Sequence, residues 1–121
     1  MAKILLIEDD PVLSRMYEKK FTHQGHQVIV ASDGKQGLAK AGEGPDLILL
    51  DIMLPEMPGL EVLKAIKGNS QTSSIPVVIM TNLGEEQKEE AMKAGAVDFI
   101  LKSQMSPSQI FEKIIQYLPK S

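Results

Sequence analysis

The sequence predicts a doubly wound α/β fold, in which a five-stranded parallel β-sheet carries helices on both faces. Five short apolar runs alternate with amphipathic stretches along the 121 residues, and this alternation is typical of parallel strands joined by helices. The apolar runs are continuous, as in strands that are buried on both faces. Right-handed crossovers leave few topologies. We therefore expect the flavodoxin-like strand order 2-1-3-4-5, with a ligand crevice between the first and third strands.

Each predicted strand is a short run of mostly Ile, Leu, Val, Met or Phe that is followed directly by a polar residue. Gly-, Pro- and Ser-containing segments separate these runs from the helical patterns between them. The predicted strands are Lys3–Ile7, Val28–Ala31, Leu47–Leu50, Val77–Met80 and Phe99–Leu101.

Five helices are predicted. The first opens at Asp10-Pro11, with Asp10 as its cap and Pro11 at the first helical position. Five apolar side chains predict a buried face over about half of this helix; they are Val12, Leu13, Met16, Tyr17 and Phe21. The remaining helices are predicted from Gly34 to Ala41, Leu60 to about Gly68, Glu85 to Ala94, and Pro107 to Leu118.

Composition limits the function classes. The formal net charge is −3 and no block of lysines or arginines occurs, which argues against direct nucleic-acid binding. The absence of cysteine excludes disulfides and thiolate metal sites, and fits a reducing cytosol. The longest apolar runs cover only a few residues, so we expect neither a signal peptide nor a membrane span. The length predicts a single domain, residues 1–121. The lack of cysteine favours a cytoplasmic location.

Polar side chains useful for phosphoryl chemistry follow four of the predicted strands. They are Glu8-Asp9-Asp10, Asp51, Thr81 and Lys102. The carboxyl ends of parallel strands meet at one edge of a sheet, where ligands bind in open α/β folds. Carboxylates, a hydroxyl and a lysine that meet there predict a magnesium-dependent site that handles a phosphoryl group.

The predicted cluster of carboxylates requires either that one of the acids stays protonated or that a cation lies among them. Two unit charges about 4 Å apart repel by about 4 kcal/mol at an effective dielectric near 20. Mg²⁺ fits best, because it prefers oxygen ligands, needs only one or two carboxylates, and keeps water for phosphate oxygens. Zinc would favour His or Cys, and neither is near.

Asp51 is the natural nucleophile of such a site, because a carboxylate can form an acyl phosphate. It follows a fully apolar strand and precedes a loop that contains Pro55 and Pro58. Lys102 can place a positive charge on one oxygen of the transferring group, and Thr81 can donate a hydrogen bond to another.

In these residues the chain resembles the receiver domain of two-component response regulators. The resemblance rests on the segments 4–10 (ILLIEDD) and 48–59 (ILLDIMLPEMPG), with Thr81 and Lys102 following in the family's order. It implies that Asp51 accepts a phosphoryl group from a histidine kinase or a histidine phosphotransfer protein, and later loses it to water. The chain would then be a signalling acceptor rather than a turnover enzyme.

The resemblance also implies roles for the residues around Asp51. Asp9 would bind Mg²⁺ directly, Glu8 mostly through water, and the backbone carbonyl of Met53 would complete the protein ligands. Thr81 and Lys102 would hold the phosphoryl oxygens. Asp10 would be the helix cap rather than a ligand.

Phe99 lies at the position of the family's switch aromatic. By resemblance, Thr81 would move toward the phosphoryl group and Phe99 would turn into the vacated space. The surface of helix 4, strand 5 and helix 5 would then bind a downstream output protein or domain, or a second copy of the chain.

Two departures from the family pattern affect the site. Ser103 follows Lys102, where the family usually has proline in a cis bond; we expect this loop to be either trans or strained. The stretch from Thr81 to Gly95 is about one residue short, and it begins with Asn82, Leu83 and Gly84. The signalling movement could differ while the phosphorylation chemistry is retained.

Three other functions compete with the receiver hypothesis. An aspartate-nucleophile phosphatase would want a second acid two residues after the nucleophile, where this chain has Met53. A flavodoxin-like cofactor binder would want a Ser/Thr/Gly-rich phosphate loop after the first strand. Glu8-Asp9-Asp10 would instead repel phosphate without a metal. A receiver-like interaction module that works without phosphorylation stays open because of the altered loops.

Overall fold

A computed structural model describes residues 2–82 and 85–119, and confirms the predicted sheet. The five strands are Lys3–Ile7 (β1), Gln27–Ala31 (β2), Leu47–Leu50 (β3), Val77–Thr81 (β4) and Asp98–Leu101 (β5). They form one parallel sheet in the order β2-β1-β3-β4-β5. The chain therefore has the flavodoxin-like topology, with its switch point between β1 and β3.

Five α-helices connect or follow the strands. They are Pro11–His23 (α1), Gly34–Ala41 (α2), Gly59–Gly68 (α3), Lys88–Lys93 (α4) and Pro107–Ile114 (α5). Single turns of 3₁₀-helix precede α4 at Glu85–Gln87, follow β5 at Lys102–Gln104 and follow α5 at Ile115–Tyr117. The fourth and fifth predicted helices therefore have shorter α-helical parts than expected.

Two hydrophobic cores explain why the strands are apolar without alternation. The first core lies between the sheet and α2, α3 and α4, and the second lies between the sheet and α1 and α5. Successive strand residues point into opposite cores. The first core contains Leu5, Ile7, Ile48, Leu50, Val77, Ile79 and Phe99 with Val62, Leu63, Ile66 and Ala91. The second contains Ile4, Leu6, Leu47, Leu49, Val78, Met80 and Ile100 with Tyr17, Phe21, Ile110 and Ile114.

The predicted buried face of α1 is wrong in two places. Val12 is 76% exposed and Met16 is 39% exposed. The buried residues are Ser14, Tyr17 and Phe21, which form a narrow stripe at helical spacing. Because α1 contacts the rest of the protein along this stripe, apolar residues outside it face solvent.

The predicted cap of α1 is confirmed, and α5 also begins at a side-chain cap. The Asp10 carboxylate accepts from the backbone N–H of Val12 at 2.9 Å and of Leu13 at 3.3 Å. At α5, the Ser106 hydroxyl accepts from Gln109 N–H at 3.2 Å, and the Gln109 side chain accepts from Ser106 N–H at 2.8 Å. Both helices thus begin at side chains that satisfy their first free N–H groups.

The loop between β3 and α3 folds tightly onto the end of β3. Gly59 N–H donates to the carbonyl of Ile52 at 2.8 Å. A Cβ at residue 59 would lie 2.4 Å from the backbone of Asp51 and Ile52, so only glycine fits. Glu56 has a left-handed backbone with φ of 69°. This loop fixes the backbone that follows Asp51.

The loop with altered length lies partly outside the described residues, which omit Leu83 and Gly84. The peptide bond between Lys102 and Ser103 is trans. This is the first of the two alternatives expected for the loop, trans or strained. Among the described residues, no helix is long and apolar enough to cross a membrane.

Candidate functional site

The sheet register brings the ends of β1 and β3 side by side. Ile7 pairs with Leu50, so Glu8 and Asp51 leave the sheet as neighbours. The Asp51 N–H donates to the carbonyl of Ile7 at 3.1 Å, and the Glu8 N–H donates to the carbonyl of Ala31 at 3.0 Å. Backbone hydrogen bonds therefore fix both carboxylates at the topological switch point.

Three carboxylates converge at this point. Glu8, Asp9 and Asp51 each offer an oxygen, and these oxygens lie within 4.8 Å of one another. Glu8 and Asp51 are buried, whereas Asp9 is exposed. An all-oxygen donor set with one solvent-facing side fits a hydrated Mg²⁺ ion better than metals that favour nitrogen or sulfur.

Lys102 joins two of these carboxylates. Its Nζ donates to Glu8 Oε1, and also to Asp51 Oδ2 at 3.0 Å. The Lys102 side chain is only 5% exposed. The 3₁₀ turn at Lys102–Gln104 accommodates Ser103, so the serine does not prevent Lys102 from reaching the carboxylates.

The pKa values of Glu8 and Lys102 are both raised, for different reasons. Burial raises the pKa of Glu8; its hydrogen bond with Lys102 opposes this shift, and the Asp51 charge reinforces it. Burial alone would lower the pKa of Lys102, but hydrogen bonds and charges from Glu8 and Asp51 outweigh burial and raise it. Lys102 is therefore a firmly protonated ammonium between two acids.

Met53 holds the second oxygen of Asp51. Its backbone N–H donates to Asp51 Oδ1 at 3.0 Å, while Lys102 binds Oδ2. The Met53 side chain is 57% exposed. The expected metal-ligand role of the Met53 carbonyl stays a prediction.

Thr81 and Phe99 lie on the two strands next to the cluster. Thr81 is the last residue of β4, fully buried, and pairs with Leu101, the residue before Lys102. Phe99 pairs with Ile79 and is 6% exposed in the first core. Their expected roles as switch residues stay predictions.

The site opens to solvent through a cleft of about 290 Å³. Its lining contains the predicted acids and Lys102, together with two side chains that were not assigned to the site from the sequence. The lining residues are Glu8, Asp9, Asp10, Leu13, Asp51, Met53, Asn82 and Lys102. Leu13 and Asn82 are the additions; Leu13 lies on the first turn of α1, and Asn82 follows Thr81 directly.

Tyr17 also interacts electrostatically with the site. From the sequence it was predicted only as part of the buried face of α1. Burial raises the pKa of its phenol, and the charges of Lys102, Glu8 and Asp51 also act on it. It lies seven residues after Asp10, which is about two helical turns. That spacing is the signal that places Tyr17 on the side of α1 nearest the site.

Comparisons with known proteins agree with this geometry. The sequence model of the response regulator receiver domain matches residues 4–115. The response regulator ArlR of Staphylococcus epidermidis is 39% identical over 104 residues, which make up 84% of this chain and 46% of ArlR. The chain therefore spans about half the length of that relative.

Two solved structures show the same fold. The chemotaxis response regulator CheY4 of Vibrio cholerae superposes with a TM-score of 0.89 at 30% identity, over 98% of this chain and 99% of CheY4. The receiver domain of the sensor histidine kinase PA1611 from Pseudomonas aeruginosa gives 0.86 at 24% identity, over 96% of each chain. Together with the match to residues 4–115, these similarities show that the chain belongs to the response regulator receiver domain family.

Proposed function

We propose that the whole chain, residues 1–121, is a phosphorylatable receiver of a two-component phosphorelay. Asp51 accepts a phosphoryl group from a histidine kinase or a histidine phosphotransfer protein. The observation that carries this proposal is the meeting of Glu8, Asp9, Asp51 and Lys102 in one cleft. Membership of the receiver family, whose standard role is this phosphorylation, supports it.

The site fits Mg²⁺ as its cofactor. Asp9 and Asp51 would bind the ion directly, Glu8 mostly through water, and the Met53 carbonyl would complete the protein ligands. When bound, Mg²⁺ would neutralise charge on the phosphoryl oxygens. The PA1611 receiver domain, which shares this fold, is described with a magnesium ion coordinated in its active site cleft.

The chain's own residues orient the transfer. The Met53 N–H and the Lys102 ammonium each hold one oxygen of Asp51, which limits rotation of the carboxylate before attack. A carboxylate oxygen attacks phosphorus, the bond from phosphorus to the donor imidazole nitrogen breaks, and that nitrogen keeps the electron pair. Lys102 and Thr81 then stabilise the negative charge on the phosphoryl oxygens.

The modified domain acts as a switch rather than as a turnover enzyme, because water removes the phosphoryl group only slowly. Thr81 pairs with Leu101 on β5. A shift of Thr81 toward the phosphoryl group would therefore change the surroundings of Phe99, which is also on β5. The surface of α4, β5 and α5 would then change and bind an output protein, an output domain or a second copy. We place this activity in the cytoplasm.

Mass measurement of the intact protein after incubation with acetyl phosphate tests the proposal. One added phosphoryl group should appear only when Mg²⁺ is present, and Asp51→Asn should abolish it. Asp33→Asn is a matched control, because Asp33 caps α2 and asparagine caps helices equally well. The absence of an adduct, together with an absence of Mg²⁺ binding, would favour an interaction module that works without phosphorylation.

A further inference from the structure

Sulfur chemistry in this chain is confined to methionine, because the sequence has seven methionines and no cysteine. Among the methionines in the described ranges, Met53 is the most exposed, at 57%. Met16 and Met92 are each 39% exposed, and Met80 is 1% exposed. An exposed thioether is oxidised to the sulfoxide more readily than a buried one, so Met53 should react with a peroxide before Met16 and Met92 do.

Met53 also lies close enough to Asp51 for a change in its side chain to alter the surroundings of the Asp51 carboxylate. It lines the cleft together with Asp51, Asn82 and Lys102. Its backbone N–H is hydrogen-bonded to Asp51 Oδ1 at 3.0 Å. This bond fixes the attachment point of the side chain relative to the acceptor carboxylate, and an oxidised side chain therefore stays at the mouth of the site.

We propose that Met53 is an oxidation site through which hydrogen peroxide shortens the lifetime of the phosphoryl group on Asp51. This inference rests on the proposed function. The sulfur lone pair attacks one peroxide oxygen and the O–O bond breaks. The other oxygen takes the proton from the oxygen that is now bound to sulfur, and leaves as water. Sulfur is oxidised by two electrons and the peroxide is reduced.

The expected effect follows from the change in polarity. The thioether is a weak acceptor that covers part of the mouth with apolar surface. The sulfoxide oxygen is a stronger acceptor and holds a water molecule beside the phosphoryl group, where water is the attacking nucleophile. One such hydrogen bond should accelerate hydrolysis by about twofold to tenfold.

The test compares phosphoryl lifetimes before and after limited oxidation of the full chain. Hydrogen peroxide is added until peptide mass spectrometry shows the sulfoxide at Met53. The protein is phosphorylated with acetyl phosphate and Mg²⁺, the donor is removed, and loss of the phosphoryl mass is followed with time. Met53→Leu removes the oxidisable sulfur at nearly constant volume, and Met92→Leu does so at a remote exposed position.

Peroxide should shorten the lifetime in the wild type and in Met92→Leu, and leave the lifetime of Met53→Leu unchanged. Equal lifetimes before and after oxidation of the wild type would overturn the inference. So would a peroxide effect that persists in Met53→Leu, or oxidation of Met16 and Met92 ahead of Met53. Failure of the untreated wild type to take up a phosphoryl group would instead overturn the proposed function, and this inference with it.

Discussion

Replacing Lys102 by methionine is expected to destabilise the metal-free protein and to make its stability depend strongly on Mg²⁺. The Lys102 side chain is 5% exposed and its ammonium contacts both Glu8 and Asp51. Methionine keeps an unbranched stem of similar length and removes the charge. Among the described residues, no other cation forms an ion pair with Glu8 or Asp51.

The size of the effect follows from the spacing of the acids. Oxygens of Glu8 and Asp51 lie within 4.8 Å, and two unit charges at that distance repel by about 3.5 kcal/mol at an effective dielectric near 20. Removal of one partner from a buried ion pair typically costs about 3–5 kcal/mol. We expect Lys102→Met to lose about that much free energy of unfolding at neutral pH without metal.

Mg²⁺ should restore much of this loss, because it supplies the positive charge that the variant lacks. A ligand that binds only the folded state stabilises it by about 2.7 kcal/mol at a concentration one hundred times its Kd. The variant should also gain more from Mg²⁺ than the wild type, in which the Lys102 ammonium opposes a second cation.

Urea unfolding followed by circular dichroism, in EDTA and in excess Mg²⁺, measures both quantities. Lys64→Met is the matched control, because Lys64 forms only an exposed pair with Glu90 at 3.7 Å. Such surface pairs contribute between about 0 and 1 kcal/mol. A metal-free Lys102→Met that is as stable as the wild type, or equal gains from Mg²⁺ in both proteins, would refute the reasoning.

Three further predictions concern Glu8, α5 and the loop after Asp51. Since the pKa of Glu8 is raised in the folded state, mainly by burial, its ionisation costs stability as pH rises above its unfolded value of about 4.3. Without metal, urea unfolding of Glu8→Gln should therefore show stability that rises relative to the wild type as the pH increases above about 4; a stability difference that does not change with pH would contradict this sign. Ser106→Ala removes the capping box of α5 and should cost about 1 kcal/mol, or about 4 °C in Tm, whereas Ser108→Ala on the exposed face should leave the melting curve unchanged. Glu56→Gly relieves a left-handed backbone with φ of 69° and should raise the free energy of unfolding by about 0.5 kcal/mol after the added chain entropy of glycine; a loss of stability in urea would show that the Glu56 side chain is itself needed.

The sheet could be predicted because β1, β3 and β4 are buried on both faces and therefore have continuous apolar runs. The face of α1 could not be predicted equally well. An apolar residue on a helix is buried only when another element covers it, and the sequence of α1 does not say how much is covered. Val12 and Met16 carry the same apolar signal as Tyr17 and Phe21, yet the former are exposed and the latter are in the second core.

The members of the site were predictable, whereas their pairing was not. A polar residue directly after a parallel strand lies at one edge of the sheet whatever the helices do, so Glu8, Asp51 and Lys102 could be placed together from strand ends alone. Which acids Lys102 contacts depends on side-chain geometry across segments that are 94 and 51 residues apart. Asn82 was missed for a related reason, since a loop amide carries no sequence pattern that marks proximity to a charge. Tyr17 was missed although its spacing from Asp10 is a signal, because its apolar neighbours on α1 assigned it to the core.

The charges of the site residues do not balance one another. With Lys102 held by Glu8 as well as Asp51, one ammonium compensates the two buried acids, and the exposed Asp9 adds a further negative charge at the solvent side. The cluster therefore carries more negative than positive charge, and a divalent cation would offset this excess. In the proposed transfer, the backbone N–H of Met53 would keep its hydrogen bond to one oxygen of Asp51, while Lys102 would exchange its contact with the other oxygen for one with a phosphoryl oxygen.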